Sequence, residues 1–167
     1  QVSFLPFEAQ VSELGGCFGV AIGEKVYDWH ATISAVFNFL LEHSECPLVV
    51  PNPDLYFPIS DGRLQLASGA VASFLQSLCE SCARPLSPIY LGKPHAPIFS
   101  YAHGILEDLL GHDLAPERVL IVGDSLTSDI EGGARFGYRT GLIMGGITTS
   151  QRLVESPRQP DLVFAAI

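Results

Sequence analysis

Asp124 and Asp129 stand close together in the run Val-Leu-Ile-Val-Gly-Asp-Ser-Leu-Thr-Ser-Asp-Ile, residues 119–130. Val119 to Val122 is apolar with no alternation, the pattern of a parallel strand buried on both faces. Gly123 ends it, where a side chain would obstruct a tight turn. Both carboxylates thus fall just beyond the carboxyl end of a strand, which is where open α/β sheets bind ligands. The run lacks the spaced oxygen donors and closing Glu of a calcium loop. It suits one wall of a Mg²⁺ site. The same aspartates could equally cap the following helix, as Ser125, Thr127 or Ser128 could, and this run alone leaves the two readings level.

A second segment bears on that choice. Residues 89–99 read Ile-Tyr-Leu-Gly-Lys-Pro-His-Ala-Pro-Ile-Phe. The apolar spacing at Ile98, Tyr101, Ala102, Ile105 and Leu109 predicts a helix with that face turned inward. Lys93 therefore sits between a short strand and a helix start, with Pro94 and Pro97 stiffening the turn. A lysine in such a turn is ordinarily solvated and contributes little to stability.

Gly92-Lys93-Pro94 followed downstream by Gly123-Asp124-Ser125 and Asp129-Ile130 resembles the third and fourth motifs of the haloacid dehalogenase superfamily, most of whose members are phosphohydrolases. Pro51-Asn52-Pro53-Asp54 and Pro160-Asp161-Leu162-Val163 narrow the resemblance to the group with a large α/β cap. That group includes 4-nitrophenylphosphatase-like enzymes and sugar or nucleotide phosphate phosphatases. The resemblance implies an α/β fold: a Rossmann-like parallel-sheet core, incomplete here, preceded by an α/β cap. It implies Mg²⁺ as cofactor and Asp124 as its ligand. Asp129 becomes the second acidic position, able to accept a hydrogen bond from Lys93. Lys93 itself would steady the phosphoryl group as charge shifts in the transition state. Asn52 and Asp54 would lie where the cap closes over substrate, although turn formation accounts for them at least as well. His95 could reach the substrate, although an exposed turn histidine is commoner.

The resemblance also defines a gap. No aspartate in the chain is followed two residues later by another, so the Asp-x-Asp nucleophile motif is missing. The second motif, a Ser or Thr ending another strand, cannot be placed. The expectation is the C-terminal portion of a Mg²⁺-dependent enzyme that hydrolyses phosphate monoesters through an aspartyl-phosphate, inactive by itself. The alternative is a non-catalytic module that binds a phosphorylated ligand or a protein partner. A flavodoxin-like receiver domain is disfavoured by the cap-like first part. Strand pairing agrees with the gap: Thr140 to Met144 can flank Val119 to Val122, with Leu162 to Phe164 beyond, leaving the other edge open for an absent N-terminal core segment.

Composition sets further bounds. The chain has 167 residues and a formal net charge of −9. An acidic surface argues against nucleic acid or anionic membrane as partners but not against a phosphorylated small molecule, for which one lysine and a metal suffice locally. No apolar run is long enough to span a bilayer, and Gln1 to Gln10 contains no basic residue, unlike a signal peptide. Cys79-Glu-Ser-Cys82 has redox-pair spacing. Placed inside a helical pattern with no second pair, these thiols read as small apolar residues in a reducing, cytoplasmic setting. A homodimer is compatible with all of this.

The remaining elements follow from periodicity and turn chemistry. Phe18 to Ile22 predicts a strand, turning at Gly23-Glu24-Lys25. Trp29 to Leu41 predicts a helix with Ile33, Val36, Phe37, Leu40 and Leu41 on one face and Asp28 as N-cap. Pro47 to Val50 begins another strand. Asp61-Gly62 between Tyr56–Ile59 and Arg63–Leu66 predicts a hairpin. Ser68 reads as the N-cap of a helix over Gly69 to Ala83, with Phe74, Leu75, Leu78 and Cys82 facing inward. A boundary near Pro85 to Pro88 assigns residues 1–87 to the cap and 88–167 to the C-terminal part of the core. The glycine pairs Gly132-Gly133 and Gly145-Gly146 read as turn or helix-end residues. His30, His43, His103 and His112 show no metal-ligand spacing.

Overall fold

A computed structural model describes residues 16–23, 29–59 and 63–165. The expected Asp28 cap, the Glu24-Lys25 turn and the Asp61-Gly62 turn lie outside the described residues. The chain forms two compact units, Gln1–Leu91 and Gly92–Ile167.

The first unit is built on three short parallel strands in the order β1 (Val20–Ala21), β2 (Leu48–Val50), β5 (Ile89–Tyr90). Val20 aligns with Leu48, and Val49 with Ile89. Leu48 and Val50 on the central strand are fully buried, as expected of an apolar strand paired on both edges. Helices α1 (Trp29–Glu42) and α2 (Ser68–Ser81) cover it. Ile33, Phe39 and Leu40 of α1 meet Val71, Leu75 and Cys79 of α2 in one core. The hairpin forms from β3 (Tyr56–Pro58) and β4 (Leu64–Leu66), with Tyr56 opposite Leu66.

Two details of α2 depart from the sequence reading. Ala67 is the N-cap, and the Ser68 hydroxyl instead donates to the Asn52 carbonyl at 2.9 Å. The helix has two apolar stripes, and Val71, Leu75 and Cys79 form the buried one. Phe74 and Leu78 line a groove with Ile33, Ser34 and Phe37 of α1, while Cys82 is exposed. Periodicity shows that a stripe exists but not which of two adjacent stripes a neighbour covers.

The second unit carries the parallel sheet β6 (Leu120–Gly123), β7 (Arg139–Ile143), β8 (Leu162–Phe164), with β7 central. Ile121 aligns with Thr140, and Leu142 with Val163. Both neighbours expected from sequence are in place. A π-helical turn and α4 (Glu131–Phe136) link β6 to β7, and α5 (Ser150–Glu155) lies between β7 and β8. Gly141 permits close packing of the sheet: a Cβ there would sit 2.7 Å from the Phe164 ring. Asp161 ties the start of β8 to β7. Its Oδ2 accepts from the Thr140 amide at 2.7 Å and from the Thr140 hydroxyl at 3.0 Å. The Asp161 amide donates back to that hydroxyl at 3.1 Å. These bonds, the backbone one foremost, hold the Asp161 carboxyl below its ordinary value.

Two burial expectations fail in this unit. Leu120 and Val122, which share one face of β6, are exposed, whereas Ile121 on the opposite face packs on Gly133 of α4. Helix α3 (Ala96–Leu110) forms as expected, but Ile98, Tyr101, Ile105 and Leu109 all face outward. The covered face is aromatic. Phe99 packs on Phe136 and Tyr138, and His103 lies beside the same two rings. The ring nitrogens of His103 are also committed, Nε2 to the Leu114 carbonyl at 2.8 Å and Nδ1 to the Tyr138 hydroxyl at 3.1 Å. Burial thus comes with hydrogen bonds that a hydrophobicity pattern does not register. Gly111, at φ 72°, ends α3 in the left-handed conformation that glycine favours. Among the described residues, no helix is long and apolar enough to cross a membrane.

The two faces of α3 should respond differently to truncation. Phe99→Ala should cost about 3–5 kcal/mol, whereas Leu109→Ala, at a position 78% exposed, should stay within about 0.5 kcal/mol; urea midpoints measure both. Asp161 sets a pH dependence. Because its carboxyl titrates lower in the folded chain, its stabilisation is fully present above the unfolded-state value, about 3.9. It is lost as pH falls through the lowered folded-state value. Thermal midpoints of the native chain and Asp161→Asn should therefore differ at neutral pH and converge below about pH 4.

Candidate active site

The site is built where β6 ends. Gly123 is required there, since a Cβ would lie 2.3 Å from the Asp129 carboxyl. Ser125 opens the next turn, its Oγ accepting from the Ser128 amide at 3.2 Å. Residues Leu126–Ile130 form a single widened π-helical turn. The amides of Asp129 and Ile130 share the Ser125 carbonyl, at 3.0 and 3.1 Å. Such turns recur at functional sites because they re-aim one side chain without ending the helix. Here the side chain is Asp129, which is buried.

A buried carboxylate needs compensation, and Asp129 receives it from two sides. Oδ2 accepts from the Ser125 amide at 3.1 Å. Oδ1 is ion-paired with the Lys93 ammonium. The Lys93 side chain is 47% exposed and that of Asp129 5%, so the lysine reaches inward from the surface. It is held by the turn before α3, in which the His95 amide donates to the Gly92 carbonyl at 3.0 Å. That turn rests on α4: a Cβ on Gly132 would lie 2.8 Å from the Pro94 Cα and as close to the Phe99 ring. Lys93 is therefore not the solvated turn residue that its sequence context suggests. Gly132, read from sequence as a helix-end glycine, is inside α4 and makes room for the lysine turn.

Asp124 is handled differently. Among the described residues, no Lys, Arg or His pairs with it. Its Oδ2 accepts from the Ile147 amide at 3.2 Å, and its backbone carbonyl accepts from the Thr148 hydroxyl at 2.7 Å. Capping falls to Ser125, which removes the reading of Asp124 as a helix cap. One carboxylate is buried against an ammonium, and the other is half-buried with one backbone donor and, among the described residues, no cation beside it. Such a carboxylate suits a hard cation such as Mg²⁺, which takes one or two carboxylates and completes its shell with water and substrate phosphate. Among the described residues, no group of three or more His, Cys, Asp or Glu converges, and Asp124 is the carboxylate at this strand end that no ammonium pairs with among them.

The structure thus brings Lys93, Asp129 and Asp124 together around the end of β6. His95 is the N-cap of α3, two residues from Lys93. Asn52 and Asp54 belong to the first unit and shape the turn between β2 and β3, which packs on the start of α2. Asn52 Oδ1 accepts from the Asp54 amide at 3.0 Å, and the Gly69 amide donates to the Asp54 carbonyl at 3.1 Å. A Cβ on Gly69 would lie 2.0 Å from the Pro53 carbonyl oxygen, so this turn is pressed against the helix start. Sequence reasoning read Gly146 only as a turn or helix-end glycine and did not single out Thr148; both lie against Asp124. The available signal was a glycine pair followed by hydroxyl residues directly after β7.

Residues 90–167 match the HAD-hydrolase-like family. The chain is 28% identical over 149 residues to a dihydroxyacetone phosphatase of Corynebacterium glutamicum, covering 89% of this chain and 49% of that protein. It is 32% identical over 113 residues to an acid sugar phosphatase of Staphylococcus haemolyticus, covering 68% of this chain and 38% of that one. Among solved structures it is similar to a possible sugar phosphatase of Cytophaga hutchinsonii, with a TM-score of 0.74, 25% identity, and coverage of 91% of this chain and 52% of that chain. The p-nitrophenyl phosphatase of Archaeoglobus fulgidus shares the fold, at 24% identity and a TM-score of 0.71, covering 95% of this chain and 56% of that one. The chain spans about half the length of these relatives or less. With the Gly-Lys-Pro and Gly-Asp motifs joined at one strand end of a parallel α/β unit, residues 90–167 belong to the HAD-hydrolase-like family.

Proposed function

We propose that the group at the end of β6 is the lysine-and-metal portion of a phosphatase centre that hydrolyses phosphate monoesters of small molecules, sugar phosphates among them. The observation that carries this reading is the contrast between the two aspartates. Asp129 is spent on holding Lys93, while Asp124 keeps its charge unpaired among the described residues. The names of the relatives, dihydroxyacetone phosphatase and acid sugar phosphatase, support the substrate class.

In this reading Asp124 holds Mg²⁺, whose chemistry is to draw a phosphate oxygen and an anionic nucleophile together. Lys93 offers a compact ammonium, fixed by Asp129 and by its turn, to the equatorial phosphate oxygens as their charge grows. Preorganisation matters here: a lysine already seated pays no reorganisation when the reaction occurs. The attacking carboxylate, and the aspartyl-phosphate it would form, must come from an Asp-x-Asp outside these residues, since the sequence contains none. The first unit is read as the α/β cap, its Asn52–Asp54 turn contributing to substrate selection, and His95 of the second unit, two residues from Lys93, is read separately as a substrate contact. The other reading, a non-catalytic module for a phosphorylated ligand, requires the same lysine and predicts binding without turnover.

The tests use the product of the whole gene and, separately, the 167-residue chain. The chain alone should show no turnover of 4-nitrophenyl phosphate with Mg²⁺, and the whole product should show it. Sustained turnover by the purified chain would remove the need for an outside nucleophile. In the whole product, Asp124→Asn should raise the Mg²⁺ concentration needed for half-maximal rate; an unmoved midpoint would free Asp124 from metal binding. Lys93→Ala should lower kcat by about 10²-fold or more, as for loss of one preorganised donor. It should also lower stability by about 1–3 kcal/mol, toward the low end because the lysine is half-exposed, since a buried acceptor loses its partner. Lys93→Arg should recover little of kcat, because a planar fork does not replace a compact ammonium. Full activity in Lys93→Ala would end the phosphatase reading.

A further inference from the structure

The segment after β7 lies directly against Asp124. An ideal Cβ on Gly146 would sit 2.1 Å from Asp124 Oδ2, 2.6 Å from its Cβ and 2.7 Å from its Cγ. The aspartate side chain therefore lies flat on the Gly146 α-carbon. The next two residues grip it. The Ile147 amide donates to Oδ2 at 3.2 Å, and the Thr148 hydroxyl donates to the Asp124 carbonyl at 2.7 Å. Thr148 is buried although the residues on either side are exposed. Gly145 supplies the chain reversal at φ 97°. Gly146 is absent from the positive-φ residues, so the requirement for glycine at 146 is set by the carboxylate and not by the backbone.

We infer that the Gly145–Thr148 turn positions Asp124 for the cation, with Gly146 and Thr148 as positioning residues. The inference rests on the reading of Asp124 as the Mg²⁺ ligand. Oδ2 is committed to the Ile147 amide, which leaves Oδ1 as the oxygen offered to a cation. The Thr148 bond stops the backbone of residue 124 from rotating that oxygen away. A carboxylate free to rotate must be ordered when the cation binds, and losing the groups that orient a ligand typically weakens metal affinity by about 10–100-fold. Gly146→Ala pushes the carboxylate off its seat by steric contact. Thr148→Val removes a hydroxyl while keeping the side chain's shape.

The experiment is a Mg²⁺ titration of the product of the whole gene followed by amide NMR shifts, in particular those of Ile147 and Ser125, with thermal midpoints recorded in parallel. Asp124→Asn serves as reference and should raise the midpoint strongly; if it does not, the metal assignment itself fails. Given that shift, Gly146→Ala and Thr148→Val should each raise the midpoint by about 10-fold. Thr148→Ser, which retains the donor, should stay near the native value. Native Mg²⁺ midpoints in both Gly146→Ala and Thr148→Val, beside a shifted Asp124→Asn, would overturn the positioning role alone. A lowered thermal midpoint with an unmoved titration would do the same, by assigning the turn to stability. If Thr148→Val fails to fold, Gly146→Ala, a change on an exposed turn, decides the matter.

Discussion

The buried charge of Asp129 is the constraint around which the second unit is arranged. An isolated carboxylate in a protein interior costs several kcal/mol, so it persists only where the surrounding structure supplies opposite charge and donors. Three local features follow from that requirement. Gly123 has no side chain because the carboxylate occupies the space. The turn after β6 is widened to a π-helical one, which carries residue 129 inward and places the Ser125 amide on Oδ2. Lys93 leaves the solvated position typical of its residue type and reaches in from the turn before α3. Gly132 in turn makes room for that turn on α4. Segments far apart in sequence are thereby joined through one carboxyl group.

The two aspartates show how environment separates residues of one type. Asp129 is enclosed and paired, so its charge is used internally. Asp124 stands one residue past the strand end, gripped by a backbone amide and a hydroxyl but by no cation among the described residues. Pairs of like groups pushed into different environments commonly divide roles in this way. The sheet supports the division. β7 is central, its Thr140, Gly141 and Leu142 buried, and the reciprocal bonds between Thr140 and Asp161 set where β8 begins. The turn that grips Asp124 leaves the end of this same strand.

Much of this was legible in the residues. The apolar run before Gly123, the Gly-Lys-Pro turn and the short strands at Thr140 and Leu162 led to a parallel sheet with Lys93, Asp124 and Asp129 at one strand end. Strand runs could be read because they are short, largely apolar and bounded by glycine or proline turns. The Asn52–Asp54 turn was visible from its prolines. Helix faces were less legible. In α2 two stripes were equally apolar, and in α3 the inward face is aromatic and histidine-bearing while the aliphatic one is exposed. Which face is covered depends on what packs against it, and no residue encodes that by itself.

What the sequence by itself determined is therefore local: where strands and helices begin and end, which turns must bend, and which side chains carry usable chemistry. These follow from residue-level sterics and periodicity, which need no knowledge of distant segments. Only the tertiary structure decided that Ser125 is the cap, that the Asp129 beside Lys93 is buried while Asp124 has no cation next to it among the described residues, and that Gly146 and Thr148 lie against an aspartate more than 20 residues away. The physical reason is that charge compensation and close approach are properties of pairs. A glycine states that space is needed, a lysine that charge is available; folding alone decides which neighbour each one meets.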